Sequence, residues 1–152
     1  MRVAPVALLL VVAAGCASGG GNNTSLIAEG QTLRMNVFVP AELAEGGQGT
    51  IDVIVGNRGA GAAGNVLVDV ELPPQLTVTH EMHGGGISLI RDPRLLRYRI
   101  DGLGVGSDAR MSATARAQFG GAEETGAIRV VAQEPTVAGD HLERTVTIKR
   151  AK

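Results

Sequence analysis

The sequence predicts an all-β fold, a two-sheet β-sandwich of about seven strands. Apolar and polar residues alternate with a period of two through most of the chain, as they do in strands with one buried face. Clusters of glycine, proline and asparagine separate these runs at intervals of about ten residues. The best candidate for a helix, residues 41–44, is too short to be one.

Size and composition agree with a single domain. The chain has 152 residues, which is enough to bury a core without disulfides. Its aromatic residues are Phe38, Tyr98 and Phe119, so the core must be built from aliphatic side chains and Met. The formal net charge is −1, and no basic field is present to recruit nucleic acid.

The N-terminus has the pattern of a targeting segment. Arg2 precedes a short apolar run, residues 6–14, which is too short to span a bilayer as a helix. The following Ala13-Ala14-Gly15-Cys16 resembles the lipobox of bacterial lipoproteins, in which the leader is cleaved before a cysteine that is then acylated. The alternative is an ordinary secretory signal followed by an unrelated cysteine.

The lipobox resemblance divides the chain into three parts. Residues 1–15 would be the signal peptide, residues 16–31 the acylated Cys16 with a flexible, glycine-rich tether, and residues 32–150 the folded domain. Ala17 after the cysteine resembles an outer-membrane rather than an inner-membrane sorting signal.

The predicted strands follow in order. Residues 33–39 alternate and end at Pro40, and residues 51–55 alternate before a glycine-rich connection. A third run, residues 66–72, ends at two prolines, which cannot donate to a ladder. The later candidate runs are 76–82, 87–90, 95–100, 109–117, 127–133 and 142–149. The inner faces are predicted to hold Val53, Val55, Val66, Val68, Val70, Tyr98 and Ile100.

The motifs around these strands resemble a known family. Asn57 and Gly59 follow a strand, Leu72-Pro73 ends the next one, and Tyr98 begins an aromatic strand that leads to the turn at Gly106. This order is similar to that of the immunoglobulin-like repeat domains of bacterial and archaeal surface proteins (the conserved-repeat, CARDB-like type). Related adhesion-type domains share much of it.

The resemblance covers residues 33–148 and implies an immunoglobulin-like sandwich that acts in interaction rather than catalysis. The family often carries Trp where this chain has Tyr98. We expect the Asn57 side chain to hydrogen-bond local backbone and Gly59 to adopt a positive φ.

A glycine pattern in the first connection also matches a nucleotide-binding motif. Residues 59–64 read G-x-G-x-x-G, but that fingerprint requires a helix after the loop. An alternating run follows instead, so we interpret the loop as a connection between two strands.

His80, Met82 and His83 form the most chemically suggestive cluster, since imidazole and thioether groups bind copper or zinc. The alternation predicts that Leu76, Val78, His80 and Met82 share one face. His83 would then point to the opposite face from His80, unless the strand ends near Met82. The alternative interpretation is a set of polar residues at a strand end.

A second cluster is the arginine-rich run 91–99. It could contact phosphate or an acidic glycan. Alternation instead places Arg97 and Arg99 on a solvated strand face beside neutralising acids, and we favour that interpretation.

We therefore expect a non-catalytic domain on a lipid anchor in the cell envelope, at the outer membrane or cell surface. Its partners would be the membrane, through Cys16, and another envelope protein or a glycan, and it would need no cofactor. No nucleophile–base–acid set is recognisable. The alternative is a periplasmic metal-binding lipoprotein that uses His80, Met82 and His83.

Overall fold

The computed structural model describes residues 23–121, 124–135 and 139–152, which form two packed β-sheets. The described strands are β1 (Asn23–Glu29), β2 (Leu33–Pro40), β3 (Glu42–Leu43), β4 (Gln48–Asn57), β5 (Ala63–Glu71), β6 (Leu76–His83), β7 (Ile87–Asp92), β8 (Leu95–Leu103), β9 (Asp108–Ala117), β10 (Thr125–Gln133) and β11 (His141–Arg150).

The two sheets have defined strand orders. Sheet A has the order β1-β2-β4-β9-β6, and sheet B has the order β3-β11-β10-β5-β8-β7. All neighbouring pairs are antiparallel except β3 and β11, which are parallel. The predicted all-β sandwich is confirmed, but the described residues contain eleven strands rather than about seven. The count was too low because every alternating run forms a strand, and β1 and β3 add two more.

The first strand corrects one predicted boundary. Residues 23–29 were expected to belong to the flexible tether, but they pair with β2 from Asn23↔Pro40 to Glu29↔Arg34. Ala28 in β1 is buried and Leu26 packs against the core. Because β2 would otherwise leave a row of backbone groups unpaired, this polar segment is drawn into the sheet. The predicted signal peptide and Cys16 lie outside the described residues.

The core lies between the sheets and is mainly aliphatic. All seven residues predicted for the inner faces are at most 2% exposed. Burial of each such large side chain contributes about 1.5–3 kcal/mol before the entropy cost. Phe119 is also buried, whereas Phe38 is only partly buried on the outer face of sheet A.

The glycine-rich connection between β4 and β5 carries the chain from sheet A to sheet B. A strand follows it, as predicted, so the loop does not introduce a helix. Gly59 is not among the glycines with positive φ, which corrects that expectation. Its small size matters instead, since a Cβ at this position would lie 3.1 Å from Cγ2 of Thr32.

In the described parts of the chain, no helix is long and apolar enough to cross a membrane.

Candidate functional site

Most of the residues singled out for chemistry lie at one margin of the sandwich, where the edge strand of sheet A meets the edge strand of sheet B. These strands are β6 and β7, and a glycine turn, residues 84–86, joins them. Gly86 has φ +72°, a conformation that costs glycine little. We call this region the β6–β7 margin.

A β-bulge in β6 determines which side chains face inward here. The pairing of β6 with β9 shifts register between Val78 and His80. Beyond that shift, Glu81 is partly buried, whereas His80 and Met82 are exposed. The prediction that His80 and Met82 continue the inner face of Val78 is therefore wrong, because a bulge inserts one residue and reverses the alternation.

Arg91 ties the two edge strands together. Its guanidinium donates to the Val78 carbonyl oxygen at 2.7 Å and to both carboxylate oxygens of Glu81 at 3.1 Å. The Glu81 side chain is only 24% exposed, so this charge-assisted contact forms in partly desolvated surroundings. The arginine joins β7 of one sheet to β6 of the other.

Tyr98 lies beneath this contact on the inner face of β8. It is 1% exposed, and its hydroxyl has no hydrogen-bond partner among the described residues. Burial and, secondly, the charge of Glu81 raise the pKa of Tyr98 to about 12, although Arg91 opposes the shift. The His83 ring packs edge-on against Tyr98, with 6.2 Å between ring centroids. At neutral pH the phenol is a buried packing group and not an accessible acid or base.

A surface groove of about 420 Å³ runs along the margin and is lined by Thr77, Val78, Arg91, Asp92 and Pro93. Arg91 is the only cationic side chain in this lining, and Val78 and Glu81 already accept its hydrogen bonds. The groove therefore offers few polar groups that could bind a ligand.

The structure does not assemble the suggested metal cluster. In β6, His80 is exposed on the outer side, whereas His83 contacts Tyr98 on the inner side. The two imidazoles therefore lie on opposite faces, as strand geometry predicts. Within residues 23–121, 124–135 and 139–152, no group of three or more His, Cys, Asp or Glu side chains could hold a metal ion.

Two arginines of the run, Arg97 and Arg99, lie on the outer face of sheet B, and each is paired with a polar group there. Arg97 donates to both Asp69 oxygens at 2.8 and 2.7 Å, and Arg99 donates to Asn65 Oδ1 at 2.7 Å. Arg129, on β10, binds Glu143 at 2.7 and 2.9 Å and Glu71 at 2.7 Å. The hydrogen bond from Arg129 holds the pKa of Glu143 below its usual value. The expected solvated face with neutralising acids is confirmed.

Asn57 is fully buried at the end of β4. Its amide nitrogen donates to the carbonyl oxygens of Gly61 at 2.8 Å and Leu103 at 2.9 Å, and its Oδ1 accepts from the Gly59 N–H at 2.9 Å. The expected backbone role of this side chain is confirmed. It joins the connection between the sheets to the end of β8.

Asp140 is an important residue that the sequence did not identify. Its carboxylate accepts hydrogen bonds from the backbone N–H groups of Gln31, Thr32 and Leu33 at 2.9, 2.6 and 2.7 Å. Burial alone would raise the pKa of Asp140, but these three donors together hold it below its ordinary value. More than a hundred residues separate the partners, and no local pattern indicates such a contact.

Comparison with known proteins extends this description. No family model matches the chain, and no curated protein sequence does. Among solved structures, the GAE domain of yeast GGA1 is similar with a TM-score of 0.51 at 12% identity, covering 83% of this chain and 97% of that chain. Domains D2 and D3 of the major pilin SpaD from Corynebacterium diphtheriae are similar with a TM-score of 0.50 at 12% identity. That match covers 74% of this chain and 48% of the pilin chain. At these identities the likeness concerns the fold alone, and it identifies the chain as an immunoglobulin-like β-sandwich.

Proposed function

We propose that this protein is a non-catalytic, lipid-anchored domain of the cell envelope that binds another envelope protein. One observation carries the proposal: the reactive side chains at the β6–β7 margin already have structural roles. Arg91 is bound to Val78 and Glu81, and Tyr98 is buried with a raised pKa. These groups hold the sandwich together and leave its outer surfaces for binding.

The anchor in this proposal is Cys16, acylated after cleavage of residues 1–15. The described domain starts at Asn23, seven residues later. Seven extended residues span at most about 25 Å. Because β1 takes up residues that were expected to be tether, the domain would stay close to the membrane, at the outer membrane if Ala17 acts as a sorting signal.

The fold and the sequence motifs support an interaction role by analogy. One protein with a similar fold is a major pilin, and the motifs around Asn57, Leu72-Pro73 and Tyr98 resemble those of surface-protein repeat domains. A glycan partner is the other binding mode compatible with this class. A metal-binding role receives no support from the positions of His80 and His83.

Photo-crosslinking in intact cells tests the proposal. A photoreactive residue would replace Met82 or Val105, which are 63% and 56% exposed, in the full chain. We expect a discrete adduct with another envelope protein, and we expect Cys16→Ser to abolish it by removing the anchor. A chain that is folded and membrane-anchored but gives no discrete protein adduct from either position would contradict the binding role.

A further inference from the structure

Three of the four sheet edges are protected against pairing with another strand. Arg144 of β11 donates to the Ile27 carbonyl oxygen in β1 at 2.9 Å. In β6, Arg91 covers the Val78 carbonyl and the bulge interrupts the ladder. The third protected edge strand, β3, has only two residues. Short edges, bulges and charged side chains are the usual ways of blocking edge-to-edge association.

The edge of β7 lacks comparable protection. It has six residues, pairs on one side with β8, and in the described structure no side chain hydrogen-bonds to its backbone. Its charges, Arg91 and Asp92, lie at its end, and Arg91 extends toward β6. Ile90 is 68% exposed, the highest value among the large apolar side chains that are described.

The register identifies which backbone groups of β7 face outward. A two-residue turn, residues 93–94, joins Asp92 to its partner Leu95, and such a flanking pair is hydrogen-bonded within the hairpin. Hydrogen-bonded and non-hydrogen-bonded pairs then alternate along the ladder. The N–H and C=O groups of Leu89 and Arg91 therefore point away from β8 and are available to another strand.

We propose that β7 pairs antiparallel with β7 of a second copy of this chain, with the two-fold axis at Ile90. In this register Leu89 faces Arg91 of the other copy as a hydrogen-bonded pair, Ser88 faces Asp92, and the two Ile90 side chains meet. No like charges oppose each other, and the most exposed apolar side chain becomes covered. Each copy uses the same strand, so the interface is isologous and closes as a dimer.

The two-fold symmetry also allows both chains to be anchored in one membrane, a step that rests on the proposed function. A two-fold axis perpendicular to the sheet leaves both copies of Asn23 at the same height along that axis. Both tethers could then enter one membrane. Anchoring would raise the effective concentration of the partners and favour a small interface.

Cysteine crosslinking of the full chain tests the dimer without depending on lipid. Cys16 is the sole cysteine, so a chain with Cys16→Ser and Ile90→Cys carries one thiol. Paired residues at a non-hydrogen-bonded position have Cα atoms about 4.5 Å apart, which permits a disulfide. We expect mild oxidation to give a dimer at least about tenfold faster than in the Cys16→Ser, Val105→Cys control, because the pairing holds the two thiols together.

The register has its own test. Chains with Ser88→Cys and chains with Asp92→Cys, both also carrying Cys16→Ser, should crosslink when mixed and remain monomeric when oxidised separately. Equal rates for Ile90→Cys and Val105→Cys would overturn the dimer, and crosslinking of Ser88→Cys alone would overturn this register. A dimer at Ile90 together with an unmodified Cys16 in the natural chain would support the edge pairing while contradicting the lipid anchor.

Discussion

At the scale of single residues, the most informative side chain is Tyr98, because it is buried beside Glu81 without a partner for its hydroxyl. The chain has one tyrosine and no tryptophan. Its phenolate absorbance therefore reports one known site at the β6–β7 margin.

The raised pKa of Tyr98 predicts a loss of stability at alkaline pH. Its pKa is about 12 in the folded state against 10.0 ordinarily, so between these values the unfolded chain has released a proton that the folded chain keeps. The free energy of unfolding should then fall as pH rises from about 10 to 12, by about 2–3 kcal/mol in total. Absorbance titration and urea unfolding across this range measure the two effects.

Two variants serve as controls for this prediction. Tyr98→Phe should remove the alkaline loss yet change stability at pH 7 by less than about 1 kcal/mol, since no hydrogen bond is lost. Glu81→Gln should lower the pKa of Tyr98, because the Glu81 charge raises it. A phenol that titrates near pH 10 in the folded protein would contradict the buried, unpartnered hydroxyl.

Asn57 carries a second prediction at this scale. Asn57→Ala would leave the Gly61 and Leu103 carbonyls and the Gly59 N–H without the partner they have now. We expect a loss of about 2–4 kcal/mol in the free energy of unfolding, measured in urea, because unsatisfied buried groups are costly. Asn36→Ala is the matched control, since Asn36 Oδ1 has no partner among the described residues, and it should cost less than about 1 kcal/mol. Equal losses in the two variants would contradict the role assigned to Asn57.

At the scale of strands, period-two alternation predicted nine of the eleven described strands and missed β1 and β3. It also predicted the seven core residues named for the inner faces. Val53, Val66 and Ile100 are buried because alternation reports directly which side of a strand faces inward. It fails at the bulge near Thr79, where a single extra residue reverses the faces of His80 and Met82. Because this bulge depends on how β6 pairs with β9, no local pattern in the sequence indicates it.

The strand β1 gives a prediction of its own. Although residues 23–29 have the composition of a tether, they pair with β2 along their full length. Their hydrogen-bonded amides should therefore exchange far more slowly than the amide of the exposed Val105 in the turn before β9. Hydrogen exchange read by NMR measures this difference. If the β1 amides exchanged as fast as the Val105 amide, residues 23–29 would belong to the flexible tether after all.

At the scale of the whole molecule, composition and alternation predicted an all-β sandwich, and the architecture agrees. The order of the strands was not predictable, because it depends on contacts between distant residues. Asp140, for example, holds the turn between β1 and β2 from the other end of the sequence. Function was harder to predict than the fold. His80 and His83 point to opposite faces of one strand, and Arg97 and Arg129 pair with acidic side chains.

In the proposed function, this sandwich is displayed on a membrane through Cys16. The most direct measurement is the intact mass of the mature protein from its native envelope, compared with the Cys16→Ser variant. We predict a chain that begins at Cys16, carries acyl chains and sediments with membranes, whereas the variant lacks the added mass. A mature protein with an unmodified Cys16, released from membranes as readily as the variant, would contradict the proposed lipid anchor.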